Sequence, residues 1–503
     1  MFNHYLRFAQ ILLAQRRLLT AVLTGSIVSL HFWSHPAQAQ ATANCQLPAT
    51  VKEEKEALLQ ASVKGNKDAQ DSYEALLAQH AEQLQQCRSS TWPQNQAIWL
   101  RMYPCDVQPG VVEKILDHIV NLGYNQVYVD AFSDGQVLLP ASANPTAWPN
   151  LIREPSGENT DLLAQAIKKG HERGLKVYAW MFMMNFGYSY TLHPDRKVVL
   201  ARNGKGETSL DVVDNGSQVF IDPYNLQAKR DYYQLVQEVL RRHPDGVLFD
   251  YVRYPRQSGK ASIVTKVKDL WIYSDAAKLA LYQRALNSKG LELIRRFLSH
   301  GYVTAADLEA VNKLYPQEKE PLWQGRTPPS PPPPIAPLPT AAQWQPLLQS
   351  QLWQLSVAHA VQGVLDFLAL AAMPFQQQGI PVGAVFFPEA NEVVGQGYDA
   401  RLQAWDRFPN SLEWYPMSYA DCGDTSCIVA QVQRAFQYAP PGTQVSPVLA
   451  GVWGHSISNR PSLEAQMQAI HQAMPQIQSV SHFAFSWQEP QFDGDRKFCH
   501  LRS

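Results

Sequence analysis

Three carboxylates in the chain each follow a short apolar run, where a buried strand would end. Asp250 closes "DGVLFD", Glu389 follows "GAVFFPE" and Asp421 follows "WYPMSYAD". Aromatic and cationic residues interleave with them: Tyr251, Arg253, Tyr419, Trp453 and Trp487, with Trp180 and Asp130 at the ends of two earlier runs. Carboxyl groups among Trp and Tyr suit carbohydrate chemistry, because aromatic faces stack on sugar rings and two carboxyls work on the glycosidic bond. Asp250, Glu389 and Asp421 are therefore the catalytic candidates. Asp130, Trp180, Tyr251, Arg253, Tyr419, Trp453 and Trp487 are the substrate-binding candidates. Each has a plainer reading: Asp250 in a buried ion pair with Arg253, Glu389 and Asp421 as loop acids, the Trp residues as core. Asp222 reads as the cap of the helix that follows it and Asp245-Gly246 as a turn. His193 and His455 stand singly, with no metal-ligand spacing, so neither a metal nor a cofactor is expected.

The elements that must position these groups alternate. Strand-like runs are expected at 97–103, 126–132, 176–184, 246–251, 382–387, 412–419, 445–452 and 481–487. Amphipathic helices are expected at 111–122, 161–173, 227–242 and 462–474, with another, 343–378, before the fifth strand. Eight strands alternating with helices predict a parallel sheet closed into a (β/α)8 barrel, with an open doubly wound sheet as the alternative. No glycine-rich phosphate loop follows the first strand. In such barrels active sites gather at the C-terminal strand ends, where all the candidates fall. Residues 40–95 read as a helical hairpin broken at Lys64-Gly65-Asn66. An insertion, 256–343, follows the fourth strand. It holds a helical stretch, 270–300, and the run "TPPSPPPPIAPLP", a polyproline II strap. The helical stretch is expected to wall the cleft.

Residues 1–39 carry Arg7, Arg16 and Arg17, then an apolar run, then Ala37-Gln38-Ala39, the pattern of a secretory signal peptide. Export to the periplasm or beyond is the expectation. The chain counts 43 Lys+Arg against 44 Asp+Glu, so without those three Arg the balance is 40 against 44. Nothing in it suggests a nucleic-acid partner. Six Cys in an exported chain favour disulfides. Cys422–Cys427 would close a small loop, Cys45–Cys87 would tie the ends of the hairpin, and Cys105–Cys499 remain; a zinc site is the rival.

Four segments carry a resemblance: "IWLRMYP", "AIKKGHERGLKVYAWMFMM", "FIDPYNLQAKRDYY" and "DGVLFDYVRYP". Together they resemble the bacterial family-10-like glycosyl hydrolases, exported proteins with a barrel catalytic domain. The likeness is close over 97–255 and looser over 381–490. Leu226 stands where the family's Asp-Pro-x-Asn-Pro segment has its second proline, and the Pro-rich insertion is atypical. The resemblance implies a polysaccharide substrate, such as peptidoglycan glycan or an exopolysaccharide, and a peripheral association with the cell wall.

The leading expectation is an exported glycoside hydrolase of the retaining kind. Asp250 would attack the anomeric carbon and Glu389 would protonate the leaving oxygen, with Asp421 as the rival acid. Tyr251 and Arg253 would orient Asp250. This pairing assumes that acids on neighbouring strands bring their carboxyls to about 5–5.5 Å. The competing readings are a glycan-binding barrel without turnover and a metal-dependent polysaccharide hydrolase or deacetylase. The last is disfavoured because the strand ends lack an Asp/His/His set.

Overall fold

The computed structural model describes residues 45–213, 215–328 and 340–500. The export segment, 1–39, and most of the Pro run, 329–339, lie outside the described residues. Eight parallel strands form one sheet: β1 (Asn95–Leu100), β2 (Gln126–Ser133), β3 (Lys176–Phe182), β4 (Gly246–Asp250), β5 (Val382–Phe386), β6 (Glu413–Ser418), β7 (Val448–Ala450) and β8 (Ser479–Phe483). Each pairs with its successor, and β8 returns to β1 with Ile98 opposite His482, so the sheet closes into a (β/α)8-type barrel. The open-sheet alternative is thereby excluded.

Helices cover the outside. They are the hairpin α1 (Ala49–Val63) and α2 (Lys67–Ser90), then α3 (Val111–Asn121), α4 (Leu162–His171) and α5 (Leu226–Leu240). The insertion supplies α6 (Asp275–Tyr282), α7 (Ser288–His300) and α8 (Ala305–Leu314), and α9 (Ala341–Gln377) leads into β5. α10 (Ser426–Tyr438), α11 (Leu463–Ala473) and α12 (Pro490–Lys497) follow the last three strands. The expected helix 270–300 is two helices, and α8 was not anticipated. Among the described residues no α-helix links β5 to β6, only a 3-10 turn at Trp405–Arg407. A three-stranded ribbon stands there instead, joining Ile263–Val264 of the insertion to Val393–Val394 and Gly397–Asp399.

Successive strand side chains alternate faces, so each strand carries an inward ladder. Trp99 meets Tyr128 and Trp180 edge to face at 4.9 Å each, and Tyr128 meets Tyr415 at 5.7 Å. The lumen is thus packed, as in barrels of this class. Parity then carries Arg101 and Asp130 inward near the level of Trp180, and Phe182 and Asp250 inward one step above it, at the C-terminal end. Gly246 is required at the entry to β4, because a Cβ there would stand 2.3 Å from the Tyr178 ring. Asp245 holds the same turn by accepting from the Val177 N–H (2.7 Å), and pairs with His171 (2.8 Å).

The hairpin packs against α3 at the N-terminal end of the barrel. Tyr73 donates to Asp117 (2.7 Å), Arg173 donates to its other oxygen (2.8 Å), and Lys55 donates to Asn121 (2.6 Å). Burial holds Lys55 down to about 8. All three expected disulfides are formed, Cys45–Cys87, Cys105–Cys499 and Cys422–Cys427, so the zinc alternative has no thiolate left to use.

Asp222 is a cap, but not of the helix that follows it. Asn225 caps α5 by accepting from the N–H groups of Gln227 and Ala228. Asp222 accepts from Ser274 (2.6 Å) and from the Ala277 N–H (3.1 Å), which fastens the first turn of α6 in the insertion.

Candidate active site

Asp250 is the last residue of β4. Its Oδ1 accepts from the Tyr251 N–H (2.6 Å) and its Oδ2 from the Trp180 indole (3.3 Å). Burial raises its pKa, partly offset by the Tyr251 hydrogen bond and the Arg253 charge. Tyr251 has a φ of +55°, a left-handed conformation that is strained for an aromatic residue. That turn stops the strand and swings the backbone amide of Tyr251 back onto the carboxylate.

Arg253 is not an ion-pair partner of Asp250: no contact within 4 Å joins them among the described residues. Its guanidinium lies 4.5 Å from the Tyr251 ring and donates to the Tyr254 carbonyl (2.9 Å). The buried-ion-pair reading therefore fails. Arg253 acts on Asp250 only at a distance, and it is the backbone of Tyr251, not its phenol, that orients the carboxylate.

Asp130 lies on β2 at a bulge, where pairing with β3 shifts between Asp130 and Phe132. Its Oδ2 accepts from Ser133 (2.6 Å) and faces Arg101 Nε at 3.7 Å, while Oδ1 is buried with no partner. Burial is the main cause that pushes this carboxyl up to about 6. Arg101 opposes the shift, and the charges of Asp134 and Asp250 add to it. Arg101 lies 5.5 Å over the Trp180 ring and also pairs with Asp134 (3.0 Å). Arg101, Asp130, Trp180 and Asp250 therefore form one group. Arg101 belongs to the "IWLRMYP" segment but was not singled out from sequence; its parity with Trp99 is the signal that finds it.

Tyr419 joins this group. Its ring lies 5.9 Å from Phe483, the Asp250 charge acts on it, and burial raises its pKa. Phe483 also meets Trp180 at 6.2 Å. Trp180, Phe483 and Tyr419 line the upper lumen around Asp250.

The remaining candidates fall elsewhere. Phe249 pairs with Ala384, so Asp250 is level with Val385 and Glu389 stands four residues further out, in the turn after β5. The assumption that neighbouring strands put the two carboxyls at one level does not hold. Glu389 lines a separate cleft of about 810 Å³ together with Tyr251, Arg253, Arg256, Phe387 and Arg401. Its Oε1 accepts from Arg401 (3.2 Å), and its Oε2 is buried without a hydrogen-bond partner. Asp421 is exposed beside the Cys422–Cys427 loop, and its carbonyl is held by Asn459. Trp453 donates to Tyr124 (3.2 Å) and packs on the cluster between the barrel and its outer helices, away from the lumen. Trp487 is half-buried on the short helix Phe485–Gln488, and its indole has no hydrogen bond or ring contact among the described residues. No group of three or more His, Cys, Asp or Glu side chains arranged to hold a metal ion occurs among the described residues.

Comparison with known proteins meets the sequence resemblance over the first half of the barrel. Residues 94–278 match the family described as glycosyl hydrolase-like 10. Over 166 residues the chain is 28% identical to the glycosyl hydrolase DigH of Escherichia coli K12; the match takes in 30% of this chain and spans 36% of that relative. Among solved structures, the alpha-L-fucosidase isoenzyme 2 of Paenibacillus thiaminolyticus is similar at 12% identity with a TM-score of 0.37, covering 80% of this chain and 49% of that one. A GH18 chitinase from Pseudoalteromonas aurantia is similar at 10% identity with a TM-score of 0.36, covering 81% and 98%. The matched family segment holds Arg101, Asp130, Trp180 and Asp250, whereas Glu389 and Arg401 lie outside it.

Proposed function

We propose that the protein is an exported glycoside hydrolase that cleaves a polysaccharide at the C-terminal end of the barrel, with Asp250 and Asp130 as its working carboxyls. The observation that carries this reading is the pair of inward carboxyls grouped about Trp180, both with raised pKa, Asp130 with one oxygen unpartnered and Asp250 with one oxygen held only by the 3.3 Å indole contact. A carboxyl raised to about 6 keeps a proton at mildly acidic pH and can give it to a leaving oxygen. Asp130 takes that role in place of Glu389. Asp250, held by the Tyr251 amide, serves the opposite side of the bond.

One strand, β3, stands between the two acids, and the register sets Asp130 level with Trp180 and Asp250 level with Phe182, two residues further along. We take the inverting arrangement, in which a water stands between the two carboxyls, as the working course. Asp250 would then activate the water. Phe483 and Tyr419, both partly exposed, supply ring faces for the sugar, while the buried Trp180 holds Asp250 through its indole N–H. The signal-like segment 1–39 and the three disulfides support export.

The test is to incubate the protein lacking residues 1–39 with purified peptidoglycan and a panel of polysaccharides, and to identify new reducing ends by mass spectrometry. Proton NMR of the first anomer formed reads the stereochemistry. Product from the wild type and none from Asp250→Asn supports the reading. Tight glycan binding without product in either protein supports a binding barrel instead.

A further inference from the structure

The cleft of about 810 Å³ that holds Glu389 has a distinctive charge pattern. Three guanidinium groups lie around the ring of Phe387, with Arg401 at 4.6 Å and Arg253 and Arg256 at 5.6 Å each. Arg401 is satisfied. It makes two hydrogen bonds to Asp399 (2.8 and 2.7 Å) and one to Glu389 (3.2 Å). Arg253 and Arg256 have no carboxylate within 4 Å among the described residues. Arg253 is only 5% exposed, yet among the described residues a single hydrogen bond, to the Tyr254 carbonyl, serves its five N–H groups. Burial is the main cause that lowers its pKa; Tyr251 and the Asp250 charge oppose the shift, and the Arg401 and Arg256 charges add to it. Keeping such a cation buried with no anion within ion-pair distance carries a desolvation cost. A neutral sugar would not relieve that cost; an anion would.

We propose that this cleft is a subsite for a sugar carrying a carboxylate, gripped by Arg253 and Arg256 on the aromatic floor of Phe387 and Tyr251. The proposal rests on the glycoside hydrolase reading, and it specifies acidic sugars as the substrate class. A guanidinium presents its N–H groups in a planar fork that matches a carboxylate. Glu389 and Asp399 on the cleft wall disfavour a doubly charged group such as phosphate. Because Tyr251 both lines this cleft and holds Asp250, a sugar bound here continues the chain whose bond is cut beside Asp250.

The carboxylate could belong to a uronic acid or to an ether-linked carboxyethyl group, and the experiment separates them. Isothermal titration of the Asp250→Asn protein, which does not consume its ligand, would use glucuronic acid, its methyl ester, 3-O-carboxyethyl glucose, glucose and inorganic sulfate. The expected result is binding of one or both carboxylates at least about tenfold tighter than the ester or glucose. Arg256→Gln, at an exposed position, should erase that preference without changing the melting temperature. Equal or undetectable binding of acid and ester overturns the proposal. So does sulfate binding as tight as glucuronate, or an Arg256→Gln loss shared by acid and ester. Cleavage of an acidic polymer and of its carboxyl-reduced form at equal kcat/KM sinks the subsite and leaves the hydrolase standing. Selective binding of the carboxylates, with no polymer cut by the wild type, does the reverse.

Discussion

Two clusters of acids, one at each end of the barrel, are satisfied to different degrees. At the N-terminal end, Asp117 takes Tyr73 on one oxygen and Arg173 on the other, with Lys55 at 3.9 Å. At the C-terminal end, Asp130 leaves Oδ1 unpartnered, Glu389 leaves Oε2 unpartnered, and Asp250 has one short amide and one long indole contact. Burial alone does not separate the two ends. Satisfaction does: Asp117, with a partner on each oxygen and a cation beside it, holds the structure together, whereas Asp130 keeps one oxygen without a partner.

The comparison breaks most sharply at Asp250. Asp250→Asn should lower kcat by about 10²–10⁴-fold, the range expected for a lost acid–base group. Its melting temperature should stay within a few degrees, because the amide keeps the volume and the Tyr251 hydrogen bond. A folded, fully active variant, measured by reducing-end release, would mean that the unsatisfied end is not the working end.

Asp117→Ala is the converse. It leaves Arg173 and Lys55 buried without their acid, a change that costs about 3–5 kcal/mol. The denaturation midpoint should fall, while kcat measured below the transition should hold. Loss of kcat at full folding would show that the hairpin end also serves the reaction.

How much of this was legible in sequence follows from what each feature depends on. Asp250, Asp130 and Trp180 could be read because a strand end and a period of two are local properties. Cys45–Cys87 and Cys422–Cys427 could be read because helix ends and short loops fix which cysteines meet, and Cys105–Cys499 followed as the remaining pair. The level of Glu389 could not, since the pairing register between β4 and β5 and the turn after Phe386 decide it. Arg256 and Arg401 come together from the insertion and the ribbon, far apart in the chain. Asp222 reaches α6 across 52 residues, a contact that no local cap rule contains.

A subtler effect belongs to Asp130. Its folded-state pKa, about 6, lies above the ordinary 3.8. The folded state therefore binds the proton more tightly than the unfolded state. Ionising it penalises folding: the penalty is absent below pH 3.8, grows between pH 3.8 and 6, and is complete above. Asp130→Asn should lack this loss and gain on the order of 2–3 kcal/mol on the wild type across that window. If Asp130 is the proton donor, the fall in wild-type kcat/KM above about pH 6 should also vanish in the variant, at a much lower plateau. Denaturant melts and pH–rate profiles check the two halves separately.

The smallest effect is expected where the sequence placed a rival acid. Asp421 is exposed, and the neighbouring Cys422–Cys427 disulfide closes a sequence separation of only 5. Chain entropy assigns so short a loop about 2 kcal/mol at most, against about 4 for the 42-residue separation of Cys45–Cys87. Asp421→Asn should leave kcat and kcat/KM within about twofold, since nothing joins its side chain to Trp180 or Asp250. Replacing Cys422 and Cys427 together with Ser should shift the denaturation midpoint slightly and leave activity alone, whereas the same change at Cys45 and Cys87 should loosen the hairpin from the barrel. A large loss of kcat in Asp421→Asn would extend the working end of the barrel to β6, and would require the loop after Ser418 to fold inward over the lumen when glycan is bound.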